Sequence, residues 1–403
     1  MGDLQSVWPA TDGTAVSRCV PVQPALTDRQ EARYRDFKAF VALNVEPFAG
    51  QWDREQRIPD SVITLLAKSG FLGGTLPPHF DGLGWDVVTF GLLNEALGRG
   101  SPALTGVVTV QAMVSMTLLK WGTKEQKEKW LPSLAKGEKI GAFALTEPGA
   151  GSDIQSLATG LTPAGDHFIL NGTKKWISCA QIASVFLVFA KLGRSPVACL
   201  VPRDTPGLSV EPIDDLMGFR GAGLAQIHFK DVEVPSASLI GKPGFALSLV
   251  APVGLHYGRI STACSALGLL RGCFEESIAH AAMRKLGDKT VGDMGMIRSL
   301  IARMGTDLEA GNLLCHDACR AQDEHLPEAF EKTLVAKYFS SKAAVRAAAD
   351  AVQIKGASGC HATSPVSRYY RDAKIMEIIE GTTQIHEDIL GKIFVDRAGS
   401  FGR

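Results

Sequence analysis

The sequence predicts an α+β fold in which a helical segment, a β segment and a second helical segment follow one another along 403 residues. Apolar residues recur at three- and four-residue steps in the first segment, at two-residue steps in the second, and at helical steps again in the third. We therefore predict a flexible N-terminal arm (1–26), an N-terminal α-helical domain (27–139), a middle β domain (140–250) and a C-terminal domain (251–403) built as a four-helix bundle.

The N-terminal segment has helix-start signals, because Asp or Thr precedes several of its apolar-periodic runs. The predicted helices are Asp28–Val45, Asp60–Lys68, Asp86–Leu97 and Thr123–Lys136. The middle segment has short stretches rich in β-forming residues, which Gly, Pro, Asn or Asp separate. The predicted strands include His167–Leu170, Val185–Ala190, Val197–Val201 and Gln226–Phe229, with a hairpin turn at Gly165-Asp166.

Long amphipathic runs return in the C-terminal segment. The predicted helices are Ile260–Arg284, Met294–Gln322, Glu328–Ile354 and a last helix from about Thr382. The alanine-rich face of Ala343–Ala351 suits close packing in an antiparallel bundle.

The charge balance argues against nucleic acid or an anionic membrane surface as a partner. Lys+Arg and Asp+Glu both number 42, so the net charge is zero. Residues 1–25 lack the apolar run of a secretory signal, and no stretch of about 20 uninterrupted apolar residues predicts membrane insertion. We expect a cytoplasmic protein.

The eight cysteines, from Cys19 to Cys360, have no regular spacing and are expected to be reduced thiols. Cys315 and Cys319 stand one helical turn apart, at the right reach for a metal. No second ligand pair accompanies them, so we interpret them as core thiols and predict no metal site.

Two glycine-containing loops combine tight turns with reactive groups. The first is Phe143-Ala-Leu-Thr-Glu-Pro-Gly-Ala-Gly-Ser-Asp153, where turn residues leave N–H groups unpaired beside the Thr146 and Ser152 hydroxyls. Such a rim suits a planar heterocycle with carbonyl acceptors at its edge. Taken by itself, the segment would more often be a tight connection between strands.

The second loop is Ile378-Ile-Glu-Gly-Thr-Thr-Gln384. Glu380 has apolar and glycine neighbours, and a carboxylate that is desolvated there would have the raised pKa that a general base needs. Taken by itself, this segment is also compatible with a helix-capping acid.

Together with the segments between them, the two loops identify a family. The chain resembles the acyl-CoA dehydrogenases from about residue 28 to 395. The matching segments, in family order, are Trp121-Gly-Thr-Lys-Glu-Gln-Lys127, Leu131-Pro-Ser-Leu134, Gly137-Glu-Lys-Ile140, Ala144-Leu-Thr-Glu-Pro-Gly-Ala-Gly-Ser-Asp153, Leu170-Asn-Gly-Thr-Lys-Lys-Trp-Ile-Ser178, Met217-Gly-Phe-Arg220, Phe229-Lys-Asp-Val-Glu-Val-Pro235, Val352-Gln-Ile-Lys-Gly356, Tyr370-Arg-Asp-Ala-Lys374 and Glu380-Gly-Thr-Thr-Gln384.

The resemblance implies an FAD enzyme that forms a homo-oligomer, a dimer or a tetramer, with FAD bound between subunits. The implied contacts of the flavin are Phe143, Leu145, Thr146, Gly151, Ser152, Trp176 and Ser178, and those elsewhere on FAD are Arg284, Gln353, Gly356, Thr382 and Gln384. Ser152, Arg259 and Gly381 are the implied substrate contacts.

The resemblance also implies a mechanism. Glu380 removes the α proton of an acyl thioester while the β hydride passes to flavin N5, and the Glu380 N–H stabilises the developing enolate. An electron acceptor that the sequence does not identify must reoxidise the flavin. Two alternatives stay open, namely a flavin oxidase or monooxygenase on the same fold, and a scaffold subunit that has lost FAD.

Three departures from the family pattern bear on the cofactor and the substrate. The family's Arg-x-Gln-Phe-Gly segment is Arg284-Lys-Leu-Gly-Asp288 here, which keeps the arginine and alters the expected seat of the adenine. An acidic turn, His386-Glu-Asp388, replaces a family arginine. Tyr257-Gly-Arg259, Ala266-Leu-Gly268 and Met376-Glu-Ile-Ile-Glu380 resemble a polyketide-pathway subgroup that acts on acyl groups tethered to an acyl carrier protein. Acyl-CoA and acyl-carrier-protein thioesters therefore both remain candidate substrates.

Overall fold

The computed structural model describes residues 25–399. The prediction of a flexible arm at 1–26 and the position of Cys19 fall almost entirely outside the described residues. The six N-terminal helices are α1 (Asp28–Asn44), α2 (Glu46–Glu55), α3 (Asp60–Lys68), α4 (Val87–Gly100), α5 (Pro102–Trp121) and α6 (Lys124–Ala135). Thr27, Asp86 and Thr123 cap α1, α4 and α6 through their side chains, as expected from the start signals.

The periodicity did not single out α2 or α5. Helix α5 is apolar on most of its circumference and almost fully buried, so it has no polar face from which a helical period could be recognised. By length and composition it is the one helix among residues 25–399 that could cross a membrane. Most of it is enclosed within the protein, as in the core helix of a globular domain.

The middle segment forms an eight-stranded sheet with the order β6-β7-β3-β2-β4-β5-β8, and β1 pairs with β4. The strands are β1 (Gly141–Ala144), β2 (Gly160–Ala164), β3 (His167–Ile177), β4 (Val185–Leu192), β5 (Ser195–Pro202), β6 (Leu208–Pro212), β7 (Ala225–Pro235) and β8 (Leu239–Ile240). Antiparallel pairing of Ala164 with His167 closes the predicted hairpin, and Gly165 takes the positive φ that its turn requires.

The C-terminal segment is helical, with a two-stranded hairpin. Its elements are α7 (Ala251–Met283), β9 (Lys285–Leu286), β10 (Lys289–Thr290), α8 (Gly295–Asp323), α9 (Ala329–Lys355), α10 (Pro365–Met376) and α11 (Thr383–Gly399). Helix α7 begins nine residues before its predicted start because a π-helical turn, Ala246–Val250, leads directly into it.

Helix α7 is the central element of the molecule. Its 33 residues span about 50 Å. It approaches α4 closely through glycines on both helices, because a Cβ at Gly98 would lie 2.3 Å from Ser265 O and one at Gly268 would lie 1.9 Å from Glu95 O. One hydrophobic core runs through both helical segments and the inner face of the sheet. Residues along α7 therefore pack against helices of the N-terminal and C-terminal segments.

Candidate active site

Glu380 lies in a tight turn between α10 and α11. Its φ is 56° and that of Gly381 is 93°, so two successive residues adopt backbone conformations that L side chains rarely take. The carboxylate lies directly against the backbone of Gly258 in α7. A Cβ at Gly258 would be 2.3 Å from Glu380 Oε2 and 2.4 Å from Cδ. Only glycine leaves room for the carboxylate in its observed position.

The Glu380 carboxylate is desolvated. The residue is partly accessible as a whole, but its Oε2 is buried and has no hydrogen-bond partner among residues 25–399. Burial raises the pKa of Glu380 to about 7, although the positive charges of Arg259 and Lys337 act to lower it. A carboxyl with a pKa near 7 can exchange protons at neutral pH.

Three nitrogen groups hold the backbone of this turn. Arg259 Nε donates to the Glu380 carbonyl at 3.4 Å, and His386 Nε2 lies 3.2 Å from the same oxygen. Lys337 Nζ donates to the Gly381 carbonyl at 2.7 Å. In contrast, the Glu380 N–H has no acceptor among the described residues, so it is free to bind an oxygen outside the protein. The predicted substrate contact Arg259 thus touches the backbone of Glu380.

The first loop is fixed by a buried ion pair. Lys174 Nζ, which is fully buried, donates to Glu147 Oε1 at 2.7 Å and to the Leu145 carbonyl at 2.9 Å. Glu147 also accepts from the N–H groups of Ala158 and Thr159, at 2.6 and 3.1 Å. Burial lowers the pKa of Lys174 to about 8, against the raising effect of Glu147. The pair holds the loop against β3.

Neither member of this pair was among the sequence-predicted site residues. Glu147 and Lys174 both belong to segments that match the family, but nothing in the sequence shows that their side chains are in contact. Their side chains are paired across 27 residues of chain, which only the packing of the loop on β3 brings together.

Beyond the ion pair, the loop and the end of β3 present hydrogen-bonding groups that together are called the rim. A Cβ at Gly149 or Gly151 would meet nothing within 4 Å. Gly151, Ser152 and Ser178 make no hydrogen bond within the described residues, so their N–H groups and two hydroxyls are free. These donors suit a ligand with acceptor atoms at its edge.

Trp176 lies beside this rim. The N–H of the preceding Lys175 donates to the Thr146 carbonyl at 2.9 Å, which ties this part of β3 to the loop. Trp176 has a φ of 62° where the pairing of β3 with β7 is irregular, and its side chain is half exposed. Phe143 and Leu145, by contrast, are buried at the base of the loop.

Helix α7 brings the two loops together. The ring of Phe143 packs against Gly254, whose Cβ would be 2.5 Å from Phe143 Cε2, while the Glu380 carboxylate packs against Gly258. Gly254 and Gly258 are four residues apart, about 6 Å along one face of the helix. The base and the rim therefore lie next to each other, although more than 200 residues separate them in the sequence.

The remaining predicted residues fall into two groups. Thr382 and Gln384 lie at the start of α11, directly after the base, where Thr382 Oγ1 accepts weakly from the Ile385 N–H at 3.4 Å. Arg284, Gln353 and Gly356 lie at the opposite end of the bundle. Arg284 follows the last residue of α7, about 38 Å along the helix from Gly258. These three residues do not lie beside Glu380 within one chain.

The altered segment at Arg284 forms the small β9–β10 hairpin. Gly287 takes a φ of 61° at its turn, while Leu286 and the neighbouring Met283 are largely exposed. Gln353 is exposed at the end of α9, and Lys355 Nζ binds Glu276 of α7 at 2.6 Å, which holds the two helix ends together. Arg284, Gln353 and Gly356 therefore share one exposed end of the bundle.

The residues present fit a flavin. The rim supplies unpaired N–H and hydroxyl groups for the edge of a planar heterocycle, and Trp176 supplies an exposed aromatic face beside it. The buried Oε2 of Glu380 has no hydrogen-bond partner among the described residues and could still bind one.

Comparisons with known proteins agree with this geometry. The sequence matches three family models, described as acyl-CoA dehydrogenase N-terminal domain (residues 27–138), middle domain (142–232) and C-terminal domain (248–394). It is 35% identical over 352 residues to the short-chain specific acyl-CoA dehydrogenase of mitochondria from Bos taurus, covering 86% of this chain and 85% of that one.

Two similar solved structures concern carrier-protein or polyketide chemistry. One is the prolyl acyl carrier protein oxidase AnaB, with a TM-score of 0.87, 26% identity, and coverage of 92% of this chain and 100% of that one. The other is FkbI, described as serving biosynthesis of the methoxymalonyl extender unit of the Fk520 polyketide, with a TM-score of 0.83, 29% identity, and coverage of 90% and 99%. The predicted three-part α+β fold is confirmed. The chain belongs to the acyl-CoA dehydrogenase family, whose members bind FAD and are oxidoreductases that act on the CH–CH group of acyl-CoA.

Proposed function

We propose that this protein is an FAD-dependent acyl-thioester dehydrogenase in which Glu380 removes the α proton of the substrate. The observation that carries the proposal is the buried carboxylate with an unpartnered Oε2 and a pKa of about 7. A base of this pKa is about half ionised at neutral pH and regains its proton readily, which suits general-base catalysis.

The turn that holds Glu380 supplies a second catalytic group. Its own N–H lacks an acceptor among the described residues, and an N–H in a desolvated site stabilises negative charge on an oxygen by about 3–4 kcal/mol. We assign this donor to the thioester oxygen, on which charge develops as the α proton leaves. The rim would hold FAD, which when bound would supply the acceptor for the hydride that leaves the β carbon.

We assign the FAD contacts to two subunits. Phe143, Leu145, Thr146, Gly151, Ser152, Trp176, Ser178, Thr382 and Gln384 would bind from one chain, and Arg284, Gln353 and Gly356 from another. The support is geometric, since the end of α7 lies about 38 Å from the part that contacts Glu380. This division requires at least a homodimer, and it makes FAD retention dependent on assembly.

The acyl group of the substrate could be bound to CoA or to an acyl carrier protein. The bovine relative supports a CoA thioester, whereas the carrier-protein oxidase and the extender-unit protein support a carrier protein. His386-Glu-Asp388, which was expected to form an acidic turn, lies within the first turns of α11, and its charge carries less weight than the sequence suggests. Glu387 accepts from Tyr338 Oη at 3.0 Å and lies 3.5 Å from Lys342 Nζ, so its charge is partly compensated. We propose a cytoplasmic enzyme that uses a separate electron acceptor.

The experiment is an anaerobic titration of the purified yellow protein, followed by its visible spectrum. Short acyl-CoA and acyl-carrier-protein thioesters, including a hydroxyacyl carrier protein, are added in turn. Loss of the flavin absorbance with one of them establishes dehydrogenation and identifies the tether. Glu380→Gln should keep FAD and lose the bleaching, while the exposed Glu387→Gln serves as the matched control. Bleaching at the normal rate in Glu380→Gln would reject the assigned base.

An oxidase is the second candidate, because AnaB is described as an oxidase. Admitting air to the bleached enzyme distinguishes the two activities. Rapid return of the yellow colour with stoichiometric hydrogen peroxide indicates an oxidase, and slow return indicates a dehydrogenase that needs another acceptor. A protein that cannot be loaded with FAD would favour the scaffold alternative.

A further inference from the structure

Lys337 of α9 is a buried lysine without an ion-pair partner within 4 Å among the described residues. Its side chain is fully buried, and its single hydrogen bond is the one from Nζ to the Gly381 carbonyl, at 2.7 Å. A buried ammonium group is costly unless it is compensated. The nearby negative charges are those of Glu380 and Glu377, and burial lowers the pKa of Lys337 to about 8.

The turn that Lys337 binds needs external support. Glu380 and Gly381 both have positive φ, and such conformations persist only where the surroundings hold them. The other two groups on this turn are weaker anchors. Arg259 makes a long contact of 3.4 Å, and burial lowers the pKa of His386 to about 3, which leaves its imidazole neutral. The short bond from Lys337 is therefore the strongest tie on the turn.

We infer that Lys337 is a positioning residue for the proposed base, which holds the Glu380–Gly381 turn in place and lowers the proton affinity of the Glu380 carboxylate. The inference rests on the proposed function of Glu380. The hydrogen bond from Lys337 to the Gly381 carbonyl fixes the backbone of the turn. In this conformation the Glu380 carboxylate lies against Gly258 and the Glu380 N–H remains free. The charge acts on the carboxylate through a desolvated environment, in which Coulomb effects are strong.

The groups that face Glu380 can be named element by element. Arg259 comes from α7, Lys337 from α9 and His386 from α11, and Glu377 lies in the segment before the base. Only Arg259 and Lys337 are positively charged near pH 7. Removal of Lys337 therefore leaves one cation beside the base, and the base should then hold its proton to higher pH.

The test compares Lys337→Met, which removes the bond and the charge, with Lys337→Gln, which removes the charge and keeps a donor. Lys332→Met, on the same helix but paired with Asp317 at the surface, is the matched control. We measure FAD content, melting temperature and the pH profile of the anaerobic flavin-reduction rate. In both Lys337 variants the acid limb should move up by about one pH unit, because one neighbouring cation is gone. Lys337→Met should lose at least about tenfold in rate at pH 7, and Lys337→Gln should recover part of it.

The outcomes separate this inference from the proposed function. An unmoved acid limb in both Lys337 variants overturns the role of Lys337, while an inactive Glu380→Gln still supports the base. Normal activity in Glu380→Gln rejects the base itself. Loss of FAD and folding in both Lys337 variants, with Lys332→Met intact, would show that Lys337 supports the fold, and it would overturn a role confined to Glu380.

Discussion

Replacement of Gly258 by alanine tests the position of the base without changing any polar group. The new Cβ would be 2.3 Å from Glu380 Oε2, 2.4 Å from Cδ and 2.9 Å from Oε1. Ordinary carbon contacts need about 3.5 Å, so the carboxylate must withdraw by about 1 Å. It can do so cheaply because it is the end of a flexible side chain, so the fold should survive.

The magnitude follows from the displacement. A shift of about 1 Å in a reacting group can cost about 100-fold in rate, and we expect a loss of this order in flavin reduction. The free energy of unfolding should rise or stay the same, since Ala is favoured over Gly inside a helix by up to about 1 kcal/mol. A slower enzyme that is no less stable is the distinguishing result for Gly258→Ala.

The assay is stopped-flow reduction of the bound flavin under anaerobic conditions, with FAD content and melting temperature measured on the same samples. Gly391→Ala on α11 is the control, because a Cβ there would meet nothing within 4 Å. It should stabilise the helix slightly and leave the rate unchanged. If Gly258→Ala reduces flavin within threefold of the wild-type rate, the carboxylate does not act from its position against α7.

Three further predictions concern buried charges. Lys174→Met leaves Glu147 buried without its cation, so it should lower the free energy of unfolding by about 3–5 kcal/mol and weaken the retention of FAD. Lys136→Met, which removes the exposed ion pair with Asp81, is the control and should have far less effect on the melting temperature and on FAD release. The flavin-reduction rate of the wild type should rise with pH through about 7, since Glu380 acts as a base only after losing its proton, and a profile flat from pH 5 to 9 would contradict this. Burial raises the pKa of Asp372 to about 6, so the protonated carboxyl contributes its full stabilisation below about pH 4. This stabilisation, about 3 kcal/mol, is lost as the pH rises through 6. The melting temperature of Asp372→Asn should therefore rise relative to that of the wild type as the pH increases from about 4 to above 6.

Much of the fold could be predicted because amphipathic helices and half-buried strands carry their periods in the sequence. The predicted α3 matches its observed bounds, and α1, α4 and α6 differ from prediction by at most three residues at either end. The sequence signal failed for α5, since a helix buried on all sides has no polar face. The short α10 was also not singled out. The glycine-rich loop and Glu380 were found because their residues are contiguous and form part of the family's motifs.

The surroundings of the base could not be predicted, because they are made by contacts between distant residues. Lys337 is 44 residues from Gly381, and Arg259 is 121 residues from Glu380. Nothing in the sequence distinguishes Lys337 from a solvated lysine on the outer face of a helix, and Gly258 could be any helix-packing glycine. The tertiary structure decides both, since burial and close approach depend on how α7, α9 and α11 pack.

The distance between the two groups of proposed cofactor contacts was likewise decided by geometry. Arg284, Gln353 and Glu380 all belong to the family's sequence motifs. The motifs do not show how far apart these residues lie in the folded chain. The length of α7 separates Arg284 from Glu380 by about 38 Å within a chain, because a helix rises only 1.5 Å per residue and does not fold back. Sequence by itself thus determined the family, the helical and β segments and the choice of Glu380 as the proposed base. The tertiary structure alone determined which groups surround Glu380 and how far Arg284 lies from it within one chain, since these depend on distances in space.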